Sequence, residues 1–346
     1  MRKLASIKRI DTIEPIEGAD KIELATVGGW KVVVAKNVGH REGDMVVYCE
    51  IDSFLPIEPE FEFLRKSSYK KMVDGTEGFR LKTIRLRGQY SQGLIIPLQD
   101  AHEIIHRNTP NISVGLFEGL GVTEMLGITK WEPAVPVQLS GTAKGNFPSF
   151  LRKTDEERVQ NLKKEYEDWK NSDTEFYVTE KLDGSSATFY YRDGEFGVCS
   201  RNLELKEVEG NTFWEVARKL KLEEKLKELG RNISIQGELI GEGIQKNRYK
   251  IKGHTVRFFN VFDIDKFEKV SYDEFVTIIN ELELQTVPVI TAPGFDLPHS
   301  VVDMIQYAEA KSVMNDKAER EGVVIRSRDN KISFKAISNK FLLKSE

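Results

Sequence analysis

The chain has 346 residues, 40% of them hydrophobic and 31% charged, with a net charge of −4. That length suits two domains rather than one, and the charge excludes a uniformly basic nucleic-acid coat while leaving room for a local basic groove. Its two cysteines, Cys49 and Cys199, lack metal-ligand spacing and form no disulfide framework, so the cytoplasm or another reducing intracellular compartment is expected.

No signal peptide, membrane-length apolar run, low-complexity tract or clear internal repeat is read along the chain. Residues 4–97 alternate as short strands and turns. Lys21–Val27 and Trp30–Ala35 flank Gly28-Gly29, a two-residue hairpin signal. Asp44–Ile51 is a further strand, and Gly78–Arg85 and Gly93–Pro97 are predicted as two more. About five short strands in this length point to a small OB-type barrel. Arg80, Lys82, Arg85 and Arg87, closed by Tyr90, offer cations and one ring to a nucleic-acid backbone and its bases. The same alternation also describes an ordinary half-solvated strand face.

A Pro-, Gly- and Ser-containing stretch from Ile128 to Pro148 reads as linker. The expected boundary separates residues 1–140 from residues 141–346. Thr154-Asp155-Glu156-Glu157 carries a capping-box pattern, which predicts a helix running to Lys170. A strand at Phe176-Tyr177-Val178 then leads into Glu180-Lys181-Leu182-Asp183-Gly184. Ala187–Tyr191 and Glu195–Cys199 form a hairpin around Arg192-Asp193-Gly194. One long helix capped at Asn211 or Thr212 is predicted to end before Gly230. Strands follow at Ile233–Gly241 and Val256–Ile264. Two helices are capped by Ser271 with Glu274 and by Ser300 with Asp303, and a last strand pair spans Glu321–Arg326 and Ile332–Ile337. Hairpins outnumber strand-helix-strand crossovers, so the fold class is α+β with a largely antiparallel second domain.

Lys181 and Asp183, two apart on an extended segment, share a face, and Gly184 permits a sharp turn or a close approach. A lysine so placed suits nucleophilic chemistry if it can lose its proton. The same four residues also describe a common turn with a surface ion pair. The domain supplies further members of a nucleotide-handling set: carboxylates Asp183, Glu238 and Glu321, cations Arg201 and Lys335, and the aromatic Phe259. Taken singly, each also fits a strand-edge charge, a loop charge or a core ring. No Walker-type loop or nucleophile elbow is present.

In order, these segments resemble the covalent nucleotidyltransferase superfamily of polynucleotide ligases and mRNA capping enzymes. Glu180–Gly184 resembles motif I, Ser200-Arg201 motif Ia, and Gly237-Glu238-Leu239 motif III. Phe259–Ile264 resembles motif IIIa, Glu321–Val324 motif IV, and Ser333–Ile337 motif V. An OB-like domain precedes these motifs, little chain follows them, and Ile16–Val27 and Lys153–Gln160 are similar to RNA ligase family 5. One departure is that Lys335 is the only lysine between Ile332 and Ile337, where some related RNA ligases carry Lys-x-Lys.

The resemblance implies an ATP-dependent RNA ligase, an N-terminal OB-like barrel followed by a nucleotidyltransferase domain. It implies that Lys181 forms a lysyl-adenylate, passes AMP to an RNA 5′-phosphate, and lets a 3′-hydroxyl displace it. It places Glu180, Arg158, Arg201, Glu238, Phe259 and Lys335 around ATP. Asp183, Glu238 and Glu321 would hold Mg2+ or Mn2+ through water, with a second ion on the outer phosphates. The implied partner is RNA, as a nicked duplex, bound by a monomer away from membranes. A DNA ligase-like enzyme and a nucleic-acid-binding protein with a silent ligase site are the alternatives.

Overall fold

Alternating side chains build the first compact unit. In Trp30–Ala35, Trp30, Val32 and Val34 turn inward and are buried, while Lys31 and Val33 sit nearer the surface. Val27 pairs with Trp30, so Gly28-Gly29 closes a two-residue hairpin as the sequence predicts. The computed structural model describes residues 3–72, 74–110, 115–131 and 141–345. It separates into two compact units, residues 1–134 with 342–346 and residues 135–341. The expected boundary at 140/141 lies at the edge of residues 132–140, outside the described residues.

Short antiparallel sheets make the first unit. One has Met45–Cys49 between Ala5–Arg9 and Leu94–Pro97, and another joins Thr12–Pro15, Ile22–Val27 and Trp30–Ala35. Its core includes Ile7, Val47, Leu55, Phe61, Phe79 and Ile104, the last from the helix Leu98–Asn108. The single strand predicted over Gly78–Arg85 is instead two. Glu77–Arg80 pairs with Ser53–Leu55, whereas Thr83–Leu86 pairs with Gln89–Gln92 in a separate ribbon. The inward alternation of Phe79, Leu81 and Thr83 continues through the break, which lies in a change of partner: Leu81 exchanges backbone bonds with Ser53 and Asp52, whereas Thr83 pairs with Gln92.

The second unit is built on two largely antiparallel sheets. We label its principal strands β1 (Phe176–Lys181), β2 (Ser185–Arg192), β3 (Glu195–Cys199), β4 (Ile233–Gly241), β5 (His254–Asp263), β6 (Val289–Phe295), β7 (Gly322–Ser327) and β8 (Ser333–Ile337). The seven-stranded sheet runs 143–146, 203–205, β3, β2, β4, β5, 268–269, and the five-stranded sheet runs 157–158, β8, β7, β1, β6. Arg192 pairs with Glu195 around Asp193-Gly194, both at positive φ, which is the twist a two-residue hairpin requires. β6 is a strand the sequence pattern did not reveal. Its residues are mostly half-exposed, so it lacks the apolar alternation that marks a buried strand.

Two helix expectations are corrected. The capping box at Thr154–Glu157 does not form. Glu157–Arg158 is a short parallel strand beside β8, and the helix begins only at Lys163. Glu156 is drawn into a buried cation cluster, and Glu157 accepts from the Arg158 amide and Asn161, so neither carboxylate caps a helix. The long helix before Gly230 is two, Thr212–Lys219 and Leu222–Leu229, broken where Lys221 adopts positive φ. Asn211 caps the first by accepting from the Phe213 and Trp214 amides, and Ser271 and Ser300 cap theirs as expected.

Candidate active site

β1 carries Lys181 at its end, on the face it shares with Thr179 and Tyr177. Directly opposite residues share a face, so the pairings Thr179–Val324, Val324–Lys335 and Lys335–Arg158 bring Lys335 and Arg158 onto the face of Lys181. On the other sheet, Ser186 lies opposite Glu238 and Thr188 opposite Gln236. Arg158 is 5% exposed, which is rare for an arginine away from a buried partner or ligand.

The turn after β1 sets the acidic cluster. A Cβ on Gly184 would lie 2.5 Å from the Leu239 carbonyl oxygen and 2.8 Å from Glu238 Cγ, so only glycine lets the turn close onto Glu238. Lys181 Nζ donates to Glu321 Oε1 at 2.7 Å. Burial lowers the lysine's proton affinity, but Glu321, Glu238 and Asp183 together outweigh it and hold the amine above its ordinary value. Glu238 is pushed up to about 8, first by burial and then by Glu321 and Asp183, against the pull of Lys181. Burial also raises Glu321. Asp183 pairs with Arg248 at 2.5 Å, and its amide donates to the Tyr249 hydroxyl at 2.6 Å.

Three carboxylates thus face two cations, Lys181 and Arg248, and the buried Glu321 Oε2 has no hydrogen-bond partner. An excess of negative charge with an orphaned buried oxygen fits a divalent cation. Among the described residues no three His, Cys, Asp or Glu side chains converge closely enough to ligate a metal directly. Water-mediated holding, which magnesium favours, suits that spacing.

Glu180 leaves β1 on the opposite face from Lys181 and is 1% exposed. Its Oε2 accepts from the Val313 amide at 2.8 Å, while Oε1 is buried without a partner. Burial raises its pKa, opposed by Ser312, the Val313 amide and Arg320. Arg320 is itself fixed by the Tyr307 and Ala308 carbonyls. Phe259 reaches the same corner through a bulge. Gln236 pairs with Asn260 and Gly237 with Phe258, leaving Phe259 unpaired and re-aimed. Its ring packs in the cluster that includes Leu182, Val287 and Met314.

Sequence reasoning missed Arg326, which lies opposite Tyr177 on the lysine face. Its guanidinium carbon sits 5.6 Å from the Phe259 ring centroid, and its Nη2 pairs with Glu156 at 3.2 Å. Lys269 lies 3.5 Å from the same carboxylate, and Ser333 also donates to it. Burial alone would raise Glu156, but Arg326 and Lys269 outweigh it and leave it at about 2. One arginine therefore braces both the Phe259 ring and the segment bearing Arg158. Its only sequence signal is parity along β7. We expect Arg326→Lys, which keeps the charge and loses the planar fork, to raise KM for ATP about tenfold with the saturated rate little changed. Combined with Phe259→Leu the two losses should not add. Additive losses in that double-mutant cycle, read from self-adenylylation kinetics, would show that Arg326 does not act through the ring.

Arg201 follows β3, and its cavity is shared with Ser186, the residue opposite Glu238 on β4. It is exposed and pairs with Asp155 at 2.7 Å, lining a small cavity with Phe147, Lys153, Ser186 and Thr188. In the first unit the four basic candidates divide. Arg80 is half-buried with its guanidinium over Trp131, whereas Lys82, Arg85 and Arg87 are exposed. Arg85 and Arg87 sit on the 83–92 ribbon, where Arg85 stacks near Tyr90 and donates to the Gly88 carbonyl.

The residues that gather around Lys181 follow the motif order read from the sequence, and known proteins share the fold that carries them. An OB-fold domain family matches residues 4–98 and an RNA ligase family matches residues 174–344. The whole chain is similar to a variant of Naegleria gruberi RNA ligase with AMP and Mn, at 41% identity and TM-score 0.90, covering 100% of each chain. The chain belongs to the RNA ligase family. The Naegleria gruberi RNA ligase with PPi is 42% identical with TM-score 0.89, over 99% of this chain and 98% of that one. A variant of that ligase with ATP and Mn is 41% identical with TM-score 0.90, over 99% of this chain and 100% of that one. No curated protein matches the chain. The RNA ligase thus has the α+β class and the OB-then-ligase order expected from its sequence. Among its described residues no helix is long and apolar enough to cross a membrane.

Proposed function

We propose that this RNA ligase uses ATP and a divalent metal to join RNA 3′-hydroxyl and 5′-phosphate ends through a lysyl-adenylate on Lys181. The observation that carries the reading is Lys181 held 2.7 Å from Glu321 amid Glu238 and Asp183. Lys181 Nζ attacks the α-phosphorus of ATP, a P–N bond forms, and the bond to pyrophosphate breaks. The RNA 5′-phosphate then takes AMP from the lysine, and the 3′-hydroxyl displaces AMP to form the phosphodiester. Asp183, Glu238 and Glu321 would hold the metal, and its charge, when bound, disfavours the ammonium form of Lys181 and offsets charge on the α-phosphate.

Lys335 and Arg158, beside each other on the lysine face, would contact phosphate or ribose. Glu180 offers its unpartnered Oε1 to the adenine amino group, and the bulged Phe259 offers a ring face to the base. Arg201, ion-paired and exposed, serves at the margin of the site. The free, buried cysteines Cys49 and Cys199 agree with a reducing compartment, and we take the enzyme to act as a monomer with the domain division at 140/141.

Lys82, Arg85 and Arg87 of the first unit, with Arg80 behind them on Trp131, serve the RNA backbone in this reading. The test is a nicked duplex with either ribose or deoxyribose at the 3′-hydroxyl end. We expect sealing at least about tenfold faster with ribose, the scale on which one 2′-hydroxyl contact discriminates. Equal rates would favour a DNA ligase-like enzyme. On the ribose nick, Arg85→Ala with Arg87→Ala should weaken binding several-fold, and unchanged binding would remove the ribbon from the RNA interface.

A further inference from the structure

The segment between β4 and β5 has a composition the reaction has not used. Gln245-Lys246-Asn247-Arg248-Tyr249-Lys250-Ile251-Lys252 holds four cations and no acid. A charge run of this kind is ordinarily a solvated loop with no fixed shape. Here the shape is fixed and costly. Gln245, Lys246, Asn247 and Lys250 all take positive φ, a region that side-chain-bearing residues rarely adopt without support.

The support comes from the turn that follows Lys181. Arg248 Nε donates to Asp183 Oδ2 at 2.5 Å, the Tyr249 hydroxyl accepts from the Asp183 amide at 2.6 Å, and Gln245 reaches the Gly184 carbonyl at 3.5 Å. Asn247 closes the loop internally, exchanging two hydrogen bonds with the Ile251 backbone, and Asn315 holds the Arg248 carbonyl at 2.7 Å. Arg248 is further seated on the Phe341 ring, 4.6 Å from its centroid. The inner half of the loop, half-buried Arg248 and buried Tyr249, is therefore wired to the turn after Lys181. The other half, Lys246, Lys250 and Lys252, is exposed, and none of these three lysines is ion-paired among the described residues.

We propose that this loop is a docking strap for the phosphate backbone of the RNA strand being joined, with Lys246, Lys250 and Lys252 as its phosphate contacts and Arg248 and Tyr249 as the anchors that register it to Lys181. This rests on the RNA ligase reading above. A row of exposed cations on a rigid frame complements a row of phosphates, and the anchors make its distance from the nucleophile fixed rather than adjustable. ATP would need no such row, because Lys335 and Arg158 on the lysine face would serve its phosphates.

The test uses the full chain with Lys246→Ala, Lys250→Ala and Lys252→Ala combined, all surface changes. Lysyl-adenylate formation on α-labelled ATP is measured beside sealing of a nicked RNA duplex across a salt series. We expect adenylylation within about twofold of wild type, and a half-saturating RNA concentration raised about tenfold or more. The log–log salt dependence of RNA binding should flatten by roughly two to three, near one for each phosphate contact removed. An unchanged salt slope and half-saturation, with wild-type sealing intact, overturns the strap alone. A parallel fall in adenylylation also overturns it, because the loop would then be acting on the ATP site. If the wild type forms lysyl-adenylate but seals no RNA nick, the RNA ligase reading fails and the strap with it.

Discussion

Lys181→Ala is expected to abolish the label that wild-type protein retains after incubation with α-labelled ATP and a divalent metal, followed by denaturation. The loss should be at least about a thousandfold, the scale on which deleting a covalent nucleophile acts. The amine at the end of β1 stands on the face shared by Lys335 and Arg158 and donates to Glu321 of the acidic cluster. Lys335 lies two strands away, and Lys269 is committed to Glu156 and Ser333. Label that survives denaturation on the alanine variant would place the nucleophile elsewhere. The same assay has a pH signature. The carboxylates hold Lys181 above the ordinary lysine value, so the reactive neutral amine is scarce near neutrality. At limiting metal the rate should climb nearly tenfold per pH unit from about 6 to 8, and a flat profile would show that proton loss does not limit the step.

The second large effect concerns the carboxylates. Glu238→Gln and Glu321→Gln should each slow self-adenylylation by about 10–100-fold, the loss typical of groups that hold a metal through its surroundings. Glu238 also predicts how stability depends on pH. Its folded pKa of about 8 stands above the unfolded value, so between about 4.5 and 8 the folded protein keeps a proton that the unfolded chain has released. Metal-free stability therefore falls as pH rises through that window. A divalent cation competes with the same proton, so the gain in Tm on adding Mn2+ should grow from pH 6 to pH 8. Glu238→Gln has no proton to lose there, and its Tm gain should be smaller and flatter. Lys181 does not mask the trend, since its raised pKa contributes stability that is lost only at higher pH. A wild-type Tm gain that is equal at pH 6 and pH 8 would remove Glu238 from the cation site.

Local pattern was a good guide wherever one strand or one cap carried the information. The 22–35 and 185–199 hairpins follow from turn residues between alternating apolar ones. The Asn211, Ser271 and Ser300 caps follow from short polar side chains set before apolar runs. It misled where a distant partner outbid the local preference. Thr154 and Glu157 have the spacing of a capping box, but Arg326 and Lys269, both more than 100 residues away in sequence, claim the intervening Glu156, and Glu157 is satisfied within its own turn.

The site divides in the same manner. By itself the sequence singled out Lys181, the carboxylates Asp183, Glu238 and Glu321, and the order of the motifs, because these residue types at these intervals are legible in one dimension. Only the tertiary structure decided which groups share a face and which ion pairs form. Lys335 and Arg158 meet through strand register, Phe259 is left unpaired by a bulge and packs beside Leu182, and Asp183 is held by Arg248 from a loop 65 residues on. Register and bulges depend on pairing between strands far apart in the chain, where a shift of one residue reverses every side chain, and no local pattern encodes that choice.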